Sequence, residues 1–68
     1  MFVKGMTEKE MLDLVREMGW EILEQDEYEA YDDTMAKSFT IYQADHAVAV
    51  DVFHGVIDTL EYIPDWAL

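Results

Sequence analysis

Cysteine is absent from this chain, proline occurs once, at Pro64, and Lys and Arg together number four. Without cysteine there is no disulfide to staple the fold and no thiol for nucleophilic or metal chemistry. A cysteine-free composition fits a reducing cytoplasm, and the expected localisation is cytoplasmic. Long apolar runs are missing too. The longest uncharged run, Ser38 to Ala44, is strand-sized and well short of a signal peptide or a membrane span. No membrane partner is therefore expected. Serine appears once, at Ser38 beside Lys37. Thr7 is committed to a helix cap. No nucleophile, base and orienting group come together, and a non-enzymatic protein is expected.

The histidines offer little metal chemistry. His46 and His54 stand eight residues apart and flank one predicted strand. At about 3.3 Å per residue, that strand separates them by roughly 26 Å. The acids between 26 and 33 lack the 1-3-5 alternation, the glycine and the terminal glutamate of a calcium loop. Carboxylates paired for glycoside hydrolysis need an enclosing cleft, for which so small a domain has little room. No cofactor and no metal site are expected.

What remains is length, charge and pattern. Sixty-eight residues make a single α+β domain over 1-68. A chain of this size buries only about 60% of its unfolded surface. Half of the residues are apolar, which argues for a folded chain. The formal net charge is −12. Solubility asks for a magnitude of only about 2–8 in a small domain. The excess opposes binding to phosphate backbones and anionic membranes, so no direct nucleic-acid contact is expected. It favours a basic protein surface as partner.

The charge is concentrated. Glu21 to Asp33 holds seven acids and no base, with Tyr28 and Tyr31 among them. In a strand, alternate residues lie roughly 6.6–6.8 Å apart on one face, a pitch that approximates a line of backbone phosphates. By parity Glu21, Gln25, Glu27 and Glu29 share one face, and Glu24, Asp26 and Asp32 the other. Tyr28 and Tyr31 offer flat surfaces where a nucleic acid has bases, and tyrosine is favoured at interface hot spots. The candidate partner-binding residues are Glu21, Glu24, Asp26, Glu27, Tyr28, Glu29, Tyr31, Asp32 and Asp33. The bland alternative is a solvated charged loop.

Thr7 and Glu10 form a capping box, and Met6 and Met11 have the spacing of a hydrophobic staple. Met11, Leu14, Val15 and Met18 recur at helical spacing, and Gly19 ends the helix, giving a helix over 7–18. Phe2 and Val3 pack on the core or form an edge strand. Alternation predicts a strand over 20–25. The stretch 26–33 is open to strand, loop or short helix. Clustered like charge favours an irregular or turn-like segment, and Asp32-Asp33-Thr34 reads as a turn or a cap. Strands follow over 39–43, 47–53 and 56–63, with a turn at His54-Gly55 and a stop at Pro64. The result is one N-terminal helix packed on a three- to four-stranded antiparallel sheet, with Val48, Val50 and Val52 facing the helix. Tyr42, Ala47, Ala49 and Phe53 lie on the other face. The tail Asp65-Trp66-Ala67-Leu68 is expected to pack back on the domain or on a neighbouring subunit.

Small, single-domain, cysteine-free, strongly acidic α+β chains resemble phage-encoded inhibitors: anti-CRISPR, anti-restriction and uracil-glycosylase-inhibitor proteins. The resemblance is one of composition across the chain. It implies a DNA mimic that blocks a basic nucleic-acid channel of a host defence complex, acting in the host cell cytoplasm. The other reading is a self-associating interaction module, a homodimer, whose acidity serves solubility alone.

Overall fold

The computed structural model describes residues 1–67. Helix α1 (Glu8–Met18) packs on one face of a sheet built from β1 (Glu21–Glu29), β2 (Met35–Tyr42), β3 (His46–Phe53) and β4 (Val56–Pro64). A short 3-10 turn, Asp65–Ala67, follows. The strands lie in space in their sequence order, all antiparallel. Such a meander needs only hairpin connections, and it leaves β1 and β4 as the two edges.

The helix begins and ends where its caps dictate. The Thr7 hydroxyl accepts from the Glu10 N–H at 3.1 Å, and the Glu10 carboxylate accepts from the Thr7 N–H at 3.1 Å. Each side chain thus satisfies a backbone donor that the first turn leaves unpaired. The Thr7 N–H, and then the Thr7 hydroxyl, which donates to the same carboxylate at 2.9 Å, hold the Glu10 carboxyl below its ordinary range. At the other end Gly19 adopts φ 70°, and the Trp20 N–H bonds back to the Val15 carbonyl at 3.0 Å. This is a Schellman ending, which glycine allows without steric cost.

The core lies between the helix and the middle of the sheet. Met11 and Val15 from α1 meet Phe39 and Ile41 of β2, Val50 and Val52 of β3, and Ile57 of β4. Phe2 closes one side, its ring edge-on to Trp20 at 5.4 Å. Val48 packs against the cluster, so the valine face meets the helix as its alternation requires. Lys37 extends toward the helix and bonds Glu8 at 3.0 Å. That bond, then the charge of Glu8, raises the ammonium's pKa. The lead-in is tied to β4: the Gly5 N–H donates to the Ile57 carbonyl, and the Ile57 N–H to the Met6 carbonyl, each at 2.8 Å. Phe2 is buried as expected, whereas Val3 is exposed.

Three expectations need correction. The acid run is not irregular as far as Glu29: it continues β1, which is nine residues long and pairs with Met35–Tyr42. Strand alternation sends successive carboxylates to opposite faces, and as an edge strand β1 keeps all of them in water. Ladder hydrogen bonds to β2 outweigh the like-charge cost and decide the conformation. Strand β2 accordingly starts at Met35, four residues before the expected start at Phe39. The tail does not bury its tryptophan against its own domain, since Trp66 is 88% exposed. Leu68, also part of that expectation, lies outside the described residues.

Candidate functional site

The register places the acids. Glu24 faces Thr40, Asp26 faces Ser38 and Tyr28 faces Ala36, while Gln25 faces Phe39 and Glu27 faces Lys37. Phe39 and Lys37 point to the helix, so Gln25, Glu27 and Glu29 belong to the helix side. Glu24, Asp26 and Tyr28 belong to the opposite, open side. A bulge at Leu23 interrupts the pairing between Ile22 and Glu24. One extra residue shifts parity by one. Glu21, opposite Tyr42, therefore joins Glu24 and Asp26 instead of Glu27 and Glu29. The open side of β1 thus carries Glu21, Glu24, Asp26 and Tyr28 in a row.

The carboxylates in this row sense one another. Glu24 titrates above the ordinary carboxylate range, because its protonated carboxyl hydrogen-bonds Asp26 and the charge on Asp26 opposes its ionisation. Among the described residues no ion pair reaches them. Lys9 and Arg16 lie on α1, Lys37 points to the helix, and Lys4 lies in the lead-in. The rest of the open face extends the same charge. Asp51 of β3 and Glu61 of β4 stand on it through the pairs Ser38–Asp51 and Ala49–Glu61. Asp58, the extra residue of a second bulge, stands beside Asp51.

The turn after β1 is built by its own acids, as its sequence suggests. Asp32 accepts from the Thr34 N–H at 3.2 Å and from its hydroxyl at 2.6 Å. These bonds, led by the hydroxyl's, lower the Asp32 pKa, and His54 adds to the effect. Asp33 takes φ 66°, a left-handed conformation that Asp tolerates better than most residues. His54 Nε2 lies 3.0 Å from Asp32 Oδ2. That contact clips this turn to the β3–β4 turn, where His54 and Gly55 have φ 54° and 80°, the signs of a type I′ hairpin. Asp32 and Asp33 thus serve the fold of the turn, and of the two only Asp33 is left without a side-chain partner.

Clipping the two turns brings Tyr31 over Phe53 and creates a cleft of about 290 Å³ at this end of the open face. Tyr28, Tyr31 and Phe53 give it aromatic walls, Ala36 lies among them, and Asp51 and Asp58 add carboxylates. Sequence reasoning named Tyr28, Glu29 and Tyr31 but missed Asp51, Phe53 and Asp58. These come from β3 and β4, and only the meander brings them beside β1. The two histidines sit at opposite ends of β3, His46 as its first residue and His54 just beyond its last.

Among the described residues no helix is long and apolar enough to cross a membrane. Comparison of the chain with family models, with curated proteins and with solved structures finds no match.

Proposed function

We propose that this protein is a non-enzymatic inhibitor that occupies a positively charged nucleic-acid-binding surface, in the manner of an anti-CRISPR DNA mimic. The observation that carries the reading is the row Glu21, Glu24 and Asp26, with Tyr28, on the open side of an exposed edge strand. No base stands among them. Their spacing follows the strand, and a rigid ladder holds it. A groove lined by Lys and Arg accepts such a row in place of phosphates, and long-range attraction speeds the encounter. In this reading the protein acts in the cytoplasm of a host cell, on a defence complex that must otherwise hold DNA.

The test is competition. Added to an RNA-guided or restriction nuclease that it targets, the protein should displace duplex DNA, and its affinity should fall steeply with salt. Glu24→Gln together with Asp26→Asn should weaken it. Undiminished competition by that double variant would sink the proposal.

A second reading keeps the acids for solubility and assigns function to self-association. Trp66 and Tyr62, 88% and 64% exposed, favour it. Sedimentation separates the two: a monomer at micromolar concentration supports inhibition, and a tight dimer buried through Trp66 supports the alternative.

A further inference from the structure

We propose that the cleft between the Ala30–Thr34 turn and the ends of β3 and β4 receives one arginine side chain of the basic partner. This rests on the inhibitor reading and names what anchors it. Size comes first. Pockets for small molecules and cofactors run to roughly 300–1,000 Å³. At about 290 Å³ this one is at or below the floor for a nucleotide, yet ample for a side chain.

Chemistry narrows the occupant further. An anion is excluded by Asp51 and Asp58, with no Lys or Arg in the lining. A neutral apolar group would strip water from those carboxylates and return no charge. A cation suits both halves of the wall. Aromatic faces attract it, and carboxylates pair with it. The carboxylates are free to do so. Asp51 spends one oxygen, Oδ2, on the Thr59 hydroxyl at 2.9 Å, while Asp58 has no side-chain partner among the described residues. Arginine fits better than lysine. Its planar guanidinium stacks on a ring while its fork reaches two carboxylates, which the compact ammonium cannot do.

The cleft is also held in shape. Tyr31 and Phe53 lie nearly parallel, with planes at 14°. The His54 ring packs edge-on against Phe53 at 4.2 Å and contacts Asp32 of the opposite turn. The two walls are thus linked through one imidazole, and little ordering is left to be done on binding. The acidic row on β1 runs into the cleft through Tyr28, which belongs to both. Row and cleft form one continuous surface: the row meets the field of a basic groove, and the cleft takes a single residue from it.

The test is an amide chemical-shift titration of the ¹⁵N-labelled protein at low salt. The probes are a blocked tetra-arginine peptide and its tetra-lysine counterpart. Saturable shifts are expected at Tyr28, Tyr31, Ala36, Asp51, Phe53 and Asp58, with the arginine peptide about fivefold tighter than the lysine peptide. Tyr31→Ala with Asp58→Asn should remove the cleft shifts and the arginine preference, and spare the shifts at Glu21, Glu24 and Asp26. Both sites are exposed, and the variant's own spectrum reports whether it is folded. Shifts confined to the β1 row, or equal response to both peptides, would overturn the cleft and leave the inhibitor reading standing. Cleft shifts in a protein whose Glu24→Gln, Asp26→Asn variant still displaces DNA would do the reverse.

Discussion

Tyr31 lies over Phe53 with the ring centroids 6.0 Å apart and the planes 14° from parallel. The first residue belongs to the β1–β2 turn and the second ends β3, so one aromatic pair bridges the first and third strands of the sheet. Tyr31 itself is 95% exposed. An exposed aromatic pair contributes at most about 0.5–1.5 kcal/mol beyond area burial. Tyr31→Ala is therefore expected to lower stability by less than about 1 kcal/mol in urea unfolding, at the low end of that range. A loss of several kcal/mol would show that the ring is a structural prop instead of a presented surface.

The core behaves differently. Ile41 is completely buried between α1 and the sheet. Ile41→Ala should cost about 2–5 kcal/mol. The whole domain, at the usual stability per residue, has roughly 3–10 kcal/mol. The variant should be largely unfolded at 37 °C by circular dichroism. A cooperative melt close to that of the parent would contradict this placement of the core.

Self-repulsion governs the neutral range. Screening shortens from about 30 Å at 0.01 M salt to about 8 Å at 0.15 M, so the melting temperature at pH 7 should rise over that interval. Glu24 makes the local version of the same point. Its folded pKa is raised by Asp26, so the folded state holds that proton more tightly than the unfolded chain does. Its favourable contribution is present at low pH and is lost as pH rises through the folded pKa. Glu24→Gln should therefore raise the melting temperature at pH 7 and change little near about pH 3, where the carboxyl is protonated in both states. A variant less stable at pH 7 would contradict the placement of Glu24 and Asp26 on one face.

Asp32 has the opposite sign. Its folded pKa is lowered, chiefly by the Thr34 hydroxyl. The stability it contributes is present above the unfolded value of about 3.9 and is lost as pH falls through the folded one. Asp32→Ala should lower the melting temperature at pH 7 and flatten the acid limb of the stability profile. An unchanged acid limb would remove Asp32 from the turn's support.

Much of the fold was legible because its signals are local. Thr7, Glu10 and Gly19 announce the helix ends through side chains and backbone within four residues of one another. Val48, Val50 and Val52 announce their face by alternation alone. The extension of β1 past Gln25 was not legible, because the hydrogen bonds that hold Asp26 to Glu29 come from Met35 to Ser38 across the hairpin. Nor was the face of Glu21. The alternation in the sequence runs on unbroken through Leu23, and only pairing with β2 reveals the bulge. The acidic row was half visible, as a count of charges, but the division into an open set and a helix-side set needed the register. The cleft was hidden for a topological reason, since Asp51, Phe53 and Asp58 are separated from Tyr28 by more than twenty positions in the sequence.

One measurement bears most directly on the claim that geometry, and not total charge, makes this surface a nucleic-acid mimic. Two variants each remove two negative charges: Glu24→Gln with Asp26→Asn on the open face, and Glu17→Gln with Glu27→Gln on the helix and helix side. Displacement of duplex DNA from a targeted nuclease is measured for both at the same salt. The open-face variant should be clearly weaker than the parent although relief of repulsion leaves it at least as stable, and the other variant should stay close to the parent. Equal loss in both variants, or none in the open-face variant, would contradict the account.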